Sequence, residues 1–367
     1  MSELAEIFQH YGPGYRAKYE QRMPASHKAA MKAIEQCRTE PLGGHVYHCE
    51  QCQVSRYSYH SCRNRHCPKC QHQAGQLWLA RQQQLLLPTP YFMVTFTLPE
   101  ALRPVARGHQ KVMYSLLFQA AAAALQQLAQ DDRFVGGQVG LVGVLHTWGR
   151  DLSYHPHVHF LVPGGGLSAD GQHWLASRPR FLVPVRPLST LFRAKFRAAL
   201  QRTALFKEVP HQVWEEAWVV HSQGVGDGQA ALKYLAPYIF QVAISNKRIV
   251  KVAEGKVTFR YTPSGSKKSK LCTLPAEEFI RRFVQHVLPK GFVKVRYYGL
   301  FSPGQRHRLK QARALLGDQP TADPQAEPEA LLTDTDGQLR PHSDWLCPQC
   351  GQPMQRHSLK PRWPQAP

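Results

Sequence analysis

Alternation of apolar with small or polar positions is clearest in the middle of the chain. The stretch "YFMVTFTLP" (91–99) predicts a strand ending at Pro99. Two β-branched runs, "VGLVGVLHTWG" and "HPHVHFLVP", are separated only by "RDLSY" and predict neighbouring antiparallel strands. Helical patterning appears over 108–130, rich in Ala, Leu and Gln, and in the amphipathic "LFRAKFRAALQRTAL". "GQAALKYLAPYIFQVA" predicts a further helix, kinked at Pro237, and "PAEEFIRRFVQHVLP" one bounded by prolines. "RIVKVAEGKVTFRYT" reads as a hairpin turning at Glu254-Gly255, and "GFVKVRYYGLFS" as a last strand. An antiparallel sheet with helices packed on it, an α+β architecture, is the fold expected.

Composition divides the 367 residues further. Six of the nine cysteines fall within 1–85, the mixed α/β patterning occupies 86–313, 314–345 is acidic and rich in Pro, Gln and Asp, and 346–367 is a short tail with Cys347 and Cys350. The expectation is a small zinc-binding domain, a catalytic domain, a flexible linker and a tail with a knuckle of its own. The start lacks the basic and apolar regions of a signal peptide, and no run reaches about 20 unbroken apolar residues, so a soluble cytoplasmic protein without a membrane partner is expected.

Charge changes the picture. The chain carries 46 Lys and Arg against 25 Asp and Glu, a net +21. Between 246 and 313 there are 17 basic and three acidic residues, so that segment alone supplies +14. A modest excess is ordinary solvated surface; an excess this concentrated marks a polyanion-binding face. Lys233, Lys247, Arg248, Arg281, Arg282, Lys294 and Arg296 are the candidate DNA contacts, with Tyr261, Phe292, Tyr297 and Tyr298 able either to stack on bases or to fill the core.

Cys49-x2-Cys52 and Cys67-x2-Cys70 are two knuckles 14 residues apart. Thiolates at that spacing turn back on one ion, and two knuckles complete a tetrahedral zinc site; disulfides do not suit a reducing compartment. Cys37, His45, Cys62 and His66 crowd the same stretch and supply a second set, with His48 and His60 as competing donors. One or two zinc ions are therefore expected near the N-terminus, and His342, Cys347, Cys350 and His357 are candidates for another.

His157 and His159 alternate with apolar residues, so both project from one face about 7 Å apart. Lone histidines on a strand are usually packing or surface residues; a His-apolar-His pair can chelate Mg²⁺ or Mn²⁺ and leave positions open for a phosphate oxygen. His146, on the neighbouring strand, is the preferred third ligand, with Asp151 and His155 as alternatives. Tyr234 and Tyr238 stand one helical turn apart. By themselves they would be core aromatics; beside a metal site and a basic surface they become nucleophiles.

In these stretches, with "CRTEPLGGHVYHCEQC", "SCRNRHCPKCQ" and "FIRRFVQHVLPKGFVKVRYYG", the chain resembles the two-tyrosine HUH transposases of rolling-circle insertion sequences, the IS91-like family, over roughly 37–299. That resemblance implies an antiparallel-sheet HUH nuclease domain behind a zinc-binding domain. It further implies that Tyr234 and Tyr238 nick one DNA strand and keep its 5′ phosphate, with single-stranded or hairpin element ends and target DNA as partners, and allows for a homo-oligomer. The rivals are a non-catalytic zinc-dependent DNA-binding regulator and, because "HPHVHF" spells three alternate histidines, a histidine-triad nucleotide hydrolase.

Overall fold

The apolar runs of the middle region assemble into one five-stranded sheet in a computed structural model of the chain. It describes residues 3–240, 243–263, 265–266, 268–317 and 346–361, without the side chains of 72, 73, 237, 238 and 240. Most of the 314–345 segment, His342 included, lies outside the described residues. The strand order is Val295–Gly299, Gly140–Trp148, Tyr154–Pro163, Tyr91–Thr97, Val220–Gly224, with every neighbouring pair antiparallel. The expected mixed helix and antiparallel-sheet architecture is therefore present.

Strand alternation gives this sheet two different faces. One carries Val94, Phe96, Leu141, Leu145, Val158 and Phe160, which pack with residues of the helices Gln110–Ala129 and Val185–Leu200. The first of these helices is long and apolar enough to cross a membrane, but Leu117, Phe118, Ala121 and Leu125 are fully buried in this core. The opposite face carries Val142 and Leu161 against Ala231 and Leu232 of the helix Gln229–Phe240. His146, His157 and His159 have the same parity as Val142 and Leu161, so they continue that second face beyond its apolar part.

Gly143 sits opposite Phe160 in the ladder, and a Cβ there would lie 2.5 Å from the Phe160 ring and 3.0 Å from Phe118. A glycine inside a strand weakens it unless something must come close, and here two aromatic rings do. Gly143→Ala is expected to lower stability by about 1–3 kcal/mol through overpacking, read as a shift of the denaturation midpoint with an unchanged slope. The glycines at 164–166 are equally occupied. An added Cβ would meet the Pro90 carbonyl at 2.8 Å, the Trp174 indole at 2.6 Å and the Gly137 backbone at 2.8 Å, respectively. They end the histidine strand against the protein's own chain.

Two compact units form: 78–239 with 288–325, and 1–77 with 240–287 and 326–367. The boundaries at 85 and 313 expected from composition are thus not those of the packing. In the second unit, Phe279, Ile280 and Phe283 bury one side of the helix Ala276–Val284, and Phe283 meets Phe8 of the helix Leu4–Tyr19 edge-on at 5.3 Å. The Leu4 amide donates to Asn246 Oδ1 at 3.2 Å. An apolar face has to be covered, and the N-terminal helices cover this one. The hairpin Ile249–Ala253 and Lys256–Tyr261 turns through Glu254 and Gly255, both left-handed, as its sequence predicts. The strands Gly44–Cys49 and Val54–Tyr59 form the zinc-region sheet, completed on the other side of Gly44–Cys49 by Gln355–Leu359 from the tail.

Candidate catalytic and metal sites

His146 pairs directly with His157 across the ladder, and His159 sits two residues further along, opposite Val144. One ring nitrogen from each of the three lies within 4.8 Å of the others. The carbonyl of His155 can only accept, so His157 Nδ1 carries the proton in their 2.7 Å hydrogen bond and Nε2 keeps a lone pair. His159 Nδ1 lies 2.8 Å from the Thr95 hydroxyl, its partner in register, which holds the orientation of the ring. Burial pushes all three imidazoles down, His146 and His157 well below the ordinary histidine value and His159 to about 4. Neutral rings are the form in which histidine binds a cation, so these residues fit a divalent metal.

His155 is not part of this trio. Its Nδ1 faces Arg103 Nη2 at 3.0 Å, because the strand runs back through Pro156 to Tyr154 and the arginine caps its outer end. Of the three alternatives for a third ligand, it is His146 that faces His157 and His159. His146 itself is held by a stack on Trp148 at 5.0 Å, and Lys294 Nζ lies 4.7 Å from the Trp148 ring centroid. Neither the Thr95 hydroxyl nor this lysine–tryptophan–histidine stack was identified in the sequence. The only trace of the first is that Thr95 occurs two residues before Thr97 in an otherwise apolar strand. Thr95→Val keeps the shape and removes the hydroxyl; Mn²⁺ affinity, read by titration calorimetry, is expected to fall about 10–100-fold.

Tyr234 belongs to the helix that covers this face. Asp227 Oδ1 accepts the Gln229 amide at its start, and Ala231 and Leu232 seat its first turn on the sheet. The Tyr234 ring is edge-on to His159 at 6.4 Å and is 45% exposed. Tyr238 lies one turn further along the same helix, and its side chain is outside the described residues.

The cysteines do not pair in the order in which they occur. Cys37, Cys62, Cys67 and Cys70 form one quartet and Cys49, Cys52, Cys347 and Cys350 another, with the sulfurs of each all within 4.8 Å. The expected partnership of Cys49 and Cys52 with Cys67 and Cys70 is therefore wrong, as is the use of His45 and His66. His66 Nδ1 pairs with Asn64 Oδ1 at 3.0 Å, and His45 Nε2 with Arg356 at 2.7 Å. His357 projects from the tail strand opposite Val46 and joins neither quartet. In the first quartet, contacts from Cys37, Cys62 and Cys67 pull the Cys70 thiol down, while those from Cys37, Cys67 and Cys70 push Cys62 up. Four thiols competing for protons in one buried spot are what a dication resolves.

Most of the basic residues expected to touch DNA are already engaged. Arg281 and Arg282 both bind Glu278, at 2.6 and 2.7 Å, and the Arg281 guanidinium is the main reason its carboxyl is held at about 2. Arg248 donates to the carbonyls of Arg260 and Ala243 and lies over Phe259. Arg296 stacks on Phe118 at 4.6 Å and Phe292 at 5.1 Å, and Lys294 is buried. Among the seven, Lys233 and Lys247 are exposed. Phe292 and Tyr298 pack in the core, against Tyr114 and Phe160 respectively.

Comparison with known proteins agrees with a transposase. Residues 140–309 match the family described as "Putative transposase", and residues 7–98 the family described as "Transposase zinc-binding domain". The chain is 41% identical over 374 residues to "Putative transposase y4qJ" of Sinorhizobium fredii (strain NBRC 101917 / NGR234), covering 95% of this chain and 93% of that one. It is 30% identical over 282 residues to the transposase for insertion sequence element IS801 of Pseudomonas savastanoi pv. phaseolicola, covering 72% and 68%. No solved structure matches. The protein is a DNA transposase with a zinc-binding N-terminal domain. It belongs to the IS91-like family.

Proposed function

We propose that this transposase is an HUH-type tyrosine nuclease that nicks single-stranded DNA at the ends of its element and rejoins it through a 5′-phosphotyrosine. The observation that carries this reading is an exposed Tyr234 ring edge-on to His159, beside three neutral imidazoles that converge on one point. A Mn²⁺ or Mg²⁺ ion bound there would withdraw charge from the scissile phosphate and stabilise its pentavalent transition state.

The remaining work falls to the chain's own residues. Thr95, the His155 carbonyl and Trp148 fix the three rings, while the helix Gln229–Phe240 delivers a phenol above them. The tyrosine Oη–P bond forms as the P–O3′ bond breaks; the phenol loses its proton and O3′ gains one. The new ester conserves the free energy of the old, so a later attack by a 3′ hydroxyl rejoins DNA without ATP. Tyr238 serves as the second nucleophile and allows a second strand to be cut while the first is held. Lys233 and Lys247, both exposed, contact the DNA backbone. The substrates are single-stranded or hairpin element ends and target DNA in a bacterial cytoplasm.

The regulator reading gives the exposed tyrosine no task, and the histidine-triad reading loses its third histidine to Arg103. The test is a labelled single strand carrying an element end, incubated with the protein and Mn²⁺. A denaturation-resistant adduct is expected from the wild type and none from Tyr234→Phe/Tyr238→Phe. A wild type that forms no adduct, or a double variant that still does, overturns the proposal.

A further inference from the structure

The tail knuckle has a twin. Cys49-Glu-Gln-Cys52-Gln53 and Cys347-Pro-Gln-Cys350-Gly351 turn in the same way. In each, the amide of the fifth residue donates to the carbonyl of the first cysteine at 2.8 Å, and that fifth residue is left-handed, with φ of 56° at Gln53 and 72° at Gly351. In each, backbone amides of the third and fourth residues also point at the first sulfur. This is the geometry of a knuckle shaped around a metal-bound thiolate, and it occurs twice, face to face.

The spacing of the sulfurs agrees. Cys49 Sγ and Cys350 Sγ are 3.6 Å apart, and in the other quartet Cys62 Sγ and Cys70 Sγ are 3.7 Å apart. A tetrahedron with metal–sulfur bonds of about 2.3 Å has edges of about 3.8 Å. Tyr47 and Met354 pack around the second quartet, one from each end of the chain, and Gly44 to His48 pair in register with Leu359 to Gln355.

We infer that Cys49, Cys52, Cys347 and Cys350 bind a second structural zinc ion, and that this ion fastens the C-terminal segment 346–361 onto the N-terminal unit. The match to the zinc-binding family stops at residue 98, so half of this site lies outside it. The segment contributes a strand whose exposed positions, Gln355 to Ser358, bury almost nothing. Such a strand gains little from burial, and the metal supplies what holds it. The ion is therefore a clasp between the two ends of the protein, closed only when both knuckles carry thiolates. The inference is independent of the nicking mechanism.

Zinc content of the purified full-length chain tests the first half. Two ions per chain are expected in the wild type and one in Cys347→Ser/Cys350→Ser, whose first quartet is intact; an unchanged zinc content in the double variant overturns the assignment. For the second half, a protease site is placed within 318–345 and the chain is cut there. The C-terminal fragment is expected to co-elute with the rest in zinc and to separate on chelation, and to separate even in zinc when Cys347 and Cys350 are serine. A fragment that leaves the wild type in zinc, or one that stays with the serine variant, shows that no clasp exists.

Discussion

His159→Gln is expected to abolish metal-dependent DNA cleavage while leaving the fold intact. Glutamine retains much of the side-chain volume but offers no imidazole to the trio, and Thr95 is left without its ring partner. Charge stabilisation by a bound cation is worth several kcal/mol in a transition state, which corresponds to a loss of about 10³-fold or more in the cleavage rate. Two measurements separate this from a structural effect: Mn²⁺ affinity should collapse, and the thermal midpoint should move by no more than a few degrees. His157→Gln should behave alike, because its ring is fixed by the His155 carbonyl and faces the same point. A His159→Gln enzyme that cleaves at the wild-type rate places the chemistry elsewhere.

Cys62→Ser is expected to cost the N-terminal unit its folded state. Residues 60–71 contain neither helix nor strand, yet they carry three of the four sulfurs of the first quartet. Only turns order such a stretch locally, so a bound ion is expected to hold it. The apparent binding free energy of structural zinc, about 10–16 kcal/mol, is comparable to the whole stability of a typical domain. One zinc per chain should be lost, and limited proteolysis should open the chain between 37 and 72. A variant with full zinc content and wild-type protease resistance would show that Cys62 is only a packed thiol.

The two expectations differ in how far the sequence led to them. The histidine trio was legible because a strand has a period of two and a hairpin-like neighbour has a predictable partner. The runs 140–148 and 154–163 then bring His146 beside His157 with no further information. Tyr234 was legible because four residues make one helical turn and the glycine-led run reads as a helix. The cysteine quartets were not legible. Cys49 lies three residues from Cys52 and 18 from Cys67, and proximity favoured the wrong partner over one almost 300 residues away. Loop closure costs free energy only as the logarithm of length, so a distant partner is hardly penalised once the tail strand pairs with Gly44–Cys49.

The basic surface was legible only in outline. The +14 of 246–313 is a count, and a count does not say which charges are already used. Glu278 takes both Arg281 and Arg282, the Phe118 and Phe292 rings take Arg296, and packing divides the segment itself between two units. The sequence by itself determined the residue types, their periodicity and hence the local elements, because those depend on neighbours a few positions away. Only the tertiary structure decided which thiols converge and which cations remain exposed. Each of those is settled by a partner brought from far along the chain, whose identity no local pattern carries.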